Sequence, residues 1–326
     1  MNGEMTVSAG AEENVVIAAD ECEVTILPRF GGKIASIRLK GRELLQQPLA
    51  PTAPRTQVMG FEESDASGWD ECLPSVSACS VPYAGGVTHV PDHGDLWRVA
   101  WELIETDGEE RATNSVSVKG GCFSLPLELE RTSVLRQEAN MRWRLELIYK
   151  LTNTGTYPVT WSWAAHPLFS VDAGDRIVLP YGIRTLRLEG SVGKRLGHYG
   201  EMLHWPIAKL GTTGETGLDV AQPASSGIAD KLFAGPLAEV ENWCELVRPD
   251  AGVKIRVSFD TEKTPYLGLW LCYGGWPERD GPRQMCVAME PATAPVDSLA
   301  VEGPWSRVLA AGESYEWPMI VEIASI

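Results

Sequence analysis

Apolar and polar residues alternate through Met141-Arg142-Trp143-Arg144-Leu145-Glu146-Leu147-Ile148-Tyr149-Lys150-Leu151. Met141, Trp143, Leu145, Leu147, Tyr149 and Leu151 share one side, and Arg142, Arg144, Glu146 and Lys150 the other. A period of two with one polar side predicts a strand in a sheet that has one wet face. Asn153-Thr154-Gly155 predicts a turn, after which Tyr157 to Ala164, rich in Val, Thr and Trp, returns as the partner strand. Further strands are predicted over Asn14 to Ala19, Glu23 to Leu27, Lys33 to Leu39, Trp97 to Glu105, Phe123 to Val134, Val253 to Phe259, Tyr266 to Cys272 and Tyr315 to Ile323. Helical periodicity is scarce, and its best stretch, Ala229 to Val240, is interrupted by Gly235-Pro236. Many short strands with Gly and Pro between them predict one large all-β domain, a sandwich or barrel, over residues 1–326. Met1 to Glu13 is polar and acidic and is expected to be a flexible or peripheral segment.

One apolar run ends in an acid. Met285-Cys286-Val287-Ala288-Met289 suits a buried strand, and Glu290 follows it directly. Pro291 and Pro295 then forbid helix and keep the chain extended. A carboxylate so close to apolar neighbours is costly unless it is paired or used. Glu290 is therefore the first candidate for a general base.

The totals narrow the partners. A net charge of -16 over 326 residues repels phosphate backbones and anionic lipid, which argues against nucleic acid and membrane surfaces. A neutral small molecule stays compatible, and so does a homodimer. Met1 to Glu13 has neither a basic start nor an apolar run, so no secretory signal is expected. The longest apolar run, Leu267 to Trp276, falls short of the roughly 18 residues of a spanning helix. Seven cysteines, without a Cys-x-x-Cys, do not form a disulfide framework or a zinc signature. A reduced, cytoplasmic protein is the expectation.

Five histidines are present. His166 stands at a predicted strand exit, where Pro167 holds its backbone extended. His93 lies in the loop Pro91-Asp92-His93-Gly94-Asp95. Either could merely satisfy loop backbone groups. With Glu290 they make a chemical set, because imidazole titrates near about 6.5 and glutamate near about 4.3. Opening a sugar ring needs such a set, since the C1 hydroxyl loses a proton as the ring oxygen gains one.

Four motifs occur together in order: Gly68-Trp69-Asp70-Glu71-Cys72-Leu73-Pro74, His93-Gly94-Asp95-Leu96-Trp97, Ala165-His166-Pro167-Leu168-Phe169 and Glu290-Pro291-Ala292-Thr293-Ala294-Pro295. With Phe30-Gly31-Gly32-Lys33-Ile34 and Leu151-Thr152-Asn153, they resemble the aldose 1-epimerase (galactose mutarotase-like) family from about Glu23 onward. The resemblance implies a large antiparallel β-sandwich with a sugar cleft on one sheet. It also implies Glu290 as base at the C1 hydroxyl, His166 as acid at the ring oxygen and His93 beside the anomeric centre. The activity implied is interconversion of the α and β anomers of a free aldose by ring opening and reclosure, without a cofactor.

Some positions depart from the family pattern. Pro54-Arg55 stands where the better-known galactose mutarotases have an asparagine-arginine pair, so Arg55 is the substitute for the sugar-binding arginine. Asp230 is the candidate for the substrate-binding aspartate. Trp69 could stack on a pyranose and Asp70 bind its hydroxyls, or Trp69 could fill the core while Asp70 caps loop amides. Trp270 and Trp276, flanking Tyr273-Gly274-Gly275, are further stacking candidates among the twelve tryptophans. His89 and His93 have the spacing of a metal pair on a helix, but Pro91 and Gly94 argue against a helix. No Gly-x-Ser-x-Gly elbow supports a serine hydrolase, and no carboxylate spacing supports a glycosidase. The rival readings are a non-catalytic carbohydrate-binding protein of this fold and a hexose-6-phosphate mutarotase using Arg279 and Arg283 as the phosphate clamp.

Overall fold

The computed structural model describes residues 14–104, 114–139, 141–212 and 214–326. Expectations for Met1 to Glu13, and for Glu105 at the end of one predicted strand, lie outside the described residues. Among the described residues the regular elements are β-strands and short 3-10 turns. None is a helix long and apolar enough to cross a membrane.

Two antiparallel sheets carry the architecture. The larger has eleven strands, in the order Val15–Ala19, Cys22–Leu27, Lys33–Leu39, Trp69–Cys72, Ala164–Ser170, Met285–Ala292, Tyr266–Tyr273, Ile228–Ala234, Thr185–Ser191, Met202–His204, with Arg42–Glu43 paired onto Lys33–Leu39. The second has eight, in the order Arg176–Val178, Trp243–Arg248, Val253–Phe259, Ser314–Ser325, Arg142–Asn153, Leu127–Glu138, Ser115–Gly121, Glu102–Leu103. The alternation read from sequence decides which side of each strand faces inward. Trp143, Leu145, Leu147, Tyr149 and Leu151 are buried, and they join Val24, Ile34, Leu269, Val287 and Met289 of the other sheet in one core. Each such side chain is worth about 1.5–3 kcal/mol relative to exposure. The arrangement is the large antiparallel β-sandwich expected above.

Three expected strands differ in detail, and the best helical candidate is not a helix. Met141 is not in the strand. It is half-exposed in a turn at φ 56°. The Tyr157 to Ala164 stretch does not pair with Arg142–Asn153, because Leu127–Glu138 and Ser314–Ser325 already occupy both edges of that strand. It divides instead into Val159–Trp161, paired with Arg307–Leu309, and Ala164–Ser170, which enters the large sheet. Ala229 to Val240 is not helical, since Ile228–Ala234 pairs on both sides in the large sheet. Among the described residues 97–104, only Glu102–Leu103 is strand, following a 3-10 turn at Leu96–Arg98.

Candidate functional site

The middle of the large sheet supplies the floor of a cleft. Side chains alternate sides along each strand, so Val287 and Met289 enter the sandwich core while Cys286, Ala288 and Glu290 face outward. On the neighbouring strand Ala165 and Phe169 face the core, leaving Ala164, His166 and Leu168 outside. The register Leu168↔Ala288 and Ala164↔Ala292 sets His166 opposite Glu290. Their side chains meet, with His166 Nδ1 3.0 Å from Glu290 Oε1.

A lysine comes to the same carboxylate from two strands away. Lys231 lies on Ile228–Ala234, opposite Trp270, and its ammonium pairs with Glu290 Oε2. Between them runs Tyr266–Tyr273, whose residue opposite Glu290 is Gly268. A Cβ on Gly268 would stand 3.0 Å from Glu290 Oε2 and 3.0 Å from the Phe233 ring. The missing side chain keeps open the space in which Lys231 crosses to Glu290.

Electrostatics follow from this packing. Burial acts to raise the Glu290 pKa, but the Lys231 ammonium and His166 override it and hold the carboxyl down to about 2. Burial opposes charge on Lys231 too, yet Glu290 and Asp297 raise its pKa. Burial lowers that of His166, which Glu290 only partly offsets. A neutral His166 facing an ionised carboxylate donates from Nδ1–H and leaves Nε2 as a proton acceptor.

The cavity above this floor measures about 190 Å³ and is lined by Phe61, Val76, Ser77, Asp92, His93, His166, Lys231, Trp270, Trp276, Gln284 and Asp297. That is below the roughly 300–1,000 Å³ of drug-sized pockets, so it suits one small molecule. His93 stacks flat on Phe61 at 3.8 Å between ring centres and meets His166 edge-on at 5.4 Å. Its Nδ1 lies 2.8 Å from Asp92 Oδ2. Gly94 follows at φ 69°, where a Cβ would overlap Leu73 O, so only glycine lets this loop lie so close to Leu73. Gln284 Oε1 accepts the indole N–H of Trp270 at 3.0 Å and fixes that wall. Asp297 is 3.8 Å from Lys231 Nζ, and burial pushes its carboxyl up to about 6.

The residues singled out from sequence divide. Glu290, His166, His93, Trp270 and Trp276 come together at the cleft. Trp69 does not, because it alternates inward and packs edge-on against Phe169 in the core. Asp70 faces outward beside His166 but is buried in an ion pair with Lys33 at 2.9 Å. Arg55 is taken up by Asp65 at 3.0 Å and lies over the Trp97 ring. Asp230 sits one residue from the cleft-facing position, so its side chain leaves on the opposite side and pairs with Arg195 and Ser191. Lys231, Asp297, Asp92, Phe61 and Gln284 escaped the sequence reading. The period of two along Ile228–Ala234 puts Lys231 and Asp230 on opposite sides, but with every residue buried the sequence does not mark which side faces the cleft.

His89 lies on the exposed side of the Gly86–Val90 strand, apart from any helix. Among the described residues no group of three or more His, Cys, Asp or Glu is placed to hold a metal ion. All seven cysteines are free thiols.

Known structures share this fold. The Slr1438 protein of Synechocystis superposes with a TM-score of 0.68 at 15% identity, covering 100% of both chains. A galactose mutarotase-like protein from Lactobacillus casei gives 0.65 at 14% identity, covering 95% of this chain and 99% of that one. An aldose epimerase homologue from C. elegans gives 0.64 at 12% identity, covering 97% and 100%. No protein-family model matches the sequence, and no curated protein matches it. The fold is that of the galactose mutarotase-like proteins.

Proposed function

We propose that this chain is an aldose 1-epimerase, an isomerase that interconverts the α and β anomers of a free aldose by acid/base ring opening and reclosure. The described sheets would form a single β-sandwich domain with one sugar site. The observation that carries the reading is the buried His166–Glu290 pair at the floor of a small cleft walled by Phe61, His93, Trp270 and Trp276. Aromatic faces suit the apolar side of a pyranose. The paired imidazole and carboxylate suit the two coupled proton movements at the C1 hydroxyl and the ring oxygen. The reaction draws on no cofactor, and the sugar is the only partner required. Seven free thiols support a reducing, cytoplasmic location.

A purely sugar-binding protein would need neither a buried carboxylate held ionised nor a histidine joined to it, which favours turnover over binding alone. A neutral sugar is favoured over a phosphorylated one. Arg279 donates to Glu62 O at 2.6 Å and Arg283 to Gly274 O at 3.0 Å, so both are engaged with backbone. Among the described residues the one lysine of the cleft lining, Lys231, is paired with Glu290, and Asp92 and Asp297 add carboxylates beside it. The test is polarimetry of freshly dissolved α-D-glucose and α-D-galactose with wild type and Glu290→Gln. The expected result is faster mutarotation that falls by about 10²–10⁴-fold in the variant. No acceleration by the wild type on either sugar, or on their 6-phosphates, would leave the binding-only reading.

A further inference from the structure

Beside the cleft, over the same outer face of the large sheet, lies a second and larger cavity of about 340 Å³. That falls within the roughly 300–1,000 Å³ of ligand pockets. The register places its floor. Phe233 stands opposite Gly268 on one side and Arg187 on the other, and Gly268 stands opposite Glu290. One row of outward positions therefore runs from His166 and Glu290 through Gly268 to Phe233 and Arg187. With neighbouring strands about 4.8 Å apart, Phe233 stands roughly 10 Å from Glu290 along that row. The same two segments divide the cavities. Lys231 and Asp297 line the cleft, whereas Phe233 and Pro295, each two residues away, line the second cavity.

Aromatic and polar groups line it together. Trp305 is half-buried, donates its indole N–H to Val301 O at 3.1 Å, and has Gly303 so close to its ring that a Cβ there would overlap. These contacts fix the ring at the cavity wall. Tyr266 is 6% exposed, yet its hydroxyl has no hydrogen-bond partner among the described residues. A phenol so enclosed costs stability unless water or a ligand meets it. Glu241 accepts Ala238 N–H at Oε2, and Gly182 leaves the room that its unpartnered Oε1 occupies. The Arg184 guanidinium stacks on the Tyr181 ring and has no carboxylate partner among the described residues. Arg184 and Glu241 are thus a donor and an acceptor on one cavity that do not meet each other. Arg187 is already taken by Glu189 and by Pro295 O. The open charges balance, which suits a neutral ligand over an anion. A ring with an apolar face and hydroxyls at its edge matches this lining, its face on Trp305 and its edge on Arg184, Glu241 and the Tyr266 hydroxyl.

We propose that this cavity is a second subsite for one neutral pyranose ring, so that the molecule bound here is an oligosaccharide with a free reducing end. Its reducing ring lies over His166 and Glu290, and the ring linked to it lies over Phe233. The separation along the cross-strand row is one that two linked pyranose rings cover. The ligand class rests on the sugar reading of the cleft, whereas occupation of the subsite does not depend on turnover.

The experiment is isothermal titration calorimetry of the full chain with D-glucose, cellobiose, maltose and lactose, each already at anomeric equilibrium so that turnover releases no net heat. It is repeated with Arg184→Ala, Tyr266→Phe and Trp305→Ala. The expected result is that at least one disaccharide binds about tenfold or more tightly than D-glucose, one molecule per chain. Each substitution should weaken that disaccharide by about 3–10-fold and leave D-glucose within about twofold. Tyr266→Phe removes a single oxygen and Arg184 is exposed, so a loss of folding would not produce this selective effect. Disaccharides that bind no more tightly than D-glucose, or not at all, overturn the inference. So does a tighter disaccharide whose affinity none of the three substitutions changes. Two D-glucose molecules per chain, one of them lost in the variants, would keep the subsite and overturn its linkage to the cleft. Polarimetry of the wild type decides the epimerase reading separately, since an absence of mutarotation leaves the calorimetric result standing.

Discussion

Replacing Lys231 with Met removes the main counter-charge of a fully buried carboxylate. The methionine keeps most of the aliphatic length beside Phe233, so the change is chiefly one of charge. Holding Glu290 down from 4.5 to about 2 corresponds to about 3 kcal/mol in favour of the ionised form, at about 1.4 kcal/mol per pH unit. That agrees with the roughly 3–5 kcal/mol typical of breaking a buried ion pair from one side. Because the folded pKa is depressed, this stabilisation is present in full above the unfolded value of about 4.3 and is lost as pH falls through about 2. In Lys231→Met burial dominates and the carboxyl moves upward instead. The two proteins therefore differ most at neutral pH, and the gap narrows as Glu290 becomes protonated in both. Urea unfolding over a series of pH values, with m-values compared to confirm the same transition, measures the gap directly. A loss below about 1 kcal/mol at neutral pH, or a larger loss that does not shrink in acid, would refute the claim that Lys231 serves Glu290.

Gly268→Ala places a methyl 3.0 Å from both Glu290 Oε2 and the Phe233 ring. A destabilisation of about 1–3 kcal/mol is expected in thermal unfolding, and mutarotation by polarimetry should slow with it, because Lys231 and Glu290 must move apart. On the other side of the same sheet, Arg131 donates to Glu71 at 2.9 Å and also meets Gly32 O, while Tyr149 and Trp163 complete the Glu71 carboxylate at 3.0 and 2.9 Å. Arg131→Met should cost about 3–5 kcal/mol in urea unfolding, and adding Glu71→Gln should recover part of it.

Much of the fold was legible because strand periodicity is a local property. Lys33–Leu39 and Val253–Phe259 have the bounds expected from sequence, and Tyr266–Tyr273 differs by one residue. Pairing was less legible. The stretch after Asn153 divides between a two-stranded pairing with Arg307–Leu309 and the large sheet, because both edges of Arg142–Asn153 are filled, one by its hairpin partner Leu127–Glu138 and the other by the distant Ser314–Ser325. The cleft's own strands were hardest to read. Ile228–Ala234 is buried on both sides, so Ala229, Lys231 and Phe233 alternate with Ile228, Asp230 and Leu232 without a polar side to mark the outer face. Motif resemblance singled out His166, Glu290 and His93, whose side chains lie close together, although His166 and Glu290 stand within the strands Ala164–Ser170 and Met285–Ala292 and not at the strand exits expected from sequence. It did not distinguish outward from inward positions on a strand, and Trp69 and Asp230 both face inward.

That distinction separates two buried carboxylates that look alike on paper. Glu71 and Glu290 each lie on a central strand of the large sheet, each fully buried and each paired with a cation. Glu71 faces the sandwich core, where burial raises its pKa against the pull of Arg131 and its other partners, Tyr149 and Trp163, are themselves enclosed. Arg131 and Tyr149 belong to the opposite sheet, so this cluster ties the two sheets together. Glu290 faces outward and touches His166, whose ring reaches a cavity shared with Asp297 and His93. On the proposed reading, what marks Glu290 out is less the presence of a buried acid than the side of the sheet it occupies and the histidine that links it to the cavity. In an antiparallel sheet that side is decided by a single residue of register. A one-residue slip of Met285–Ala292 would send Glu290 into the core and bring Met289 to the cleft, abolishing the site while leaving the composition of the strand unchanged.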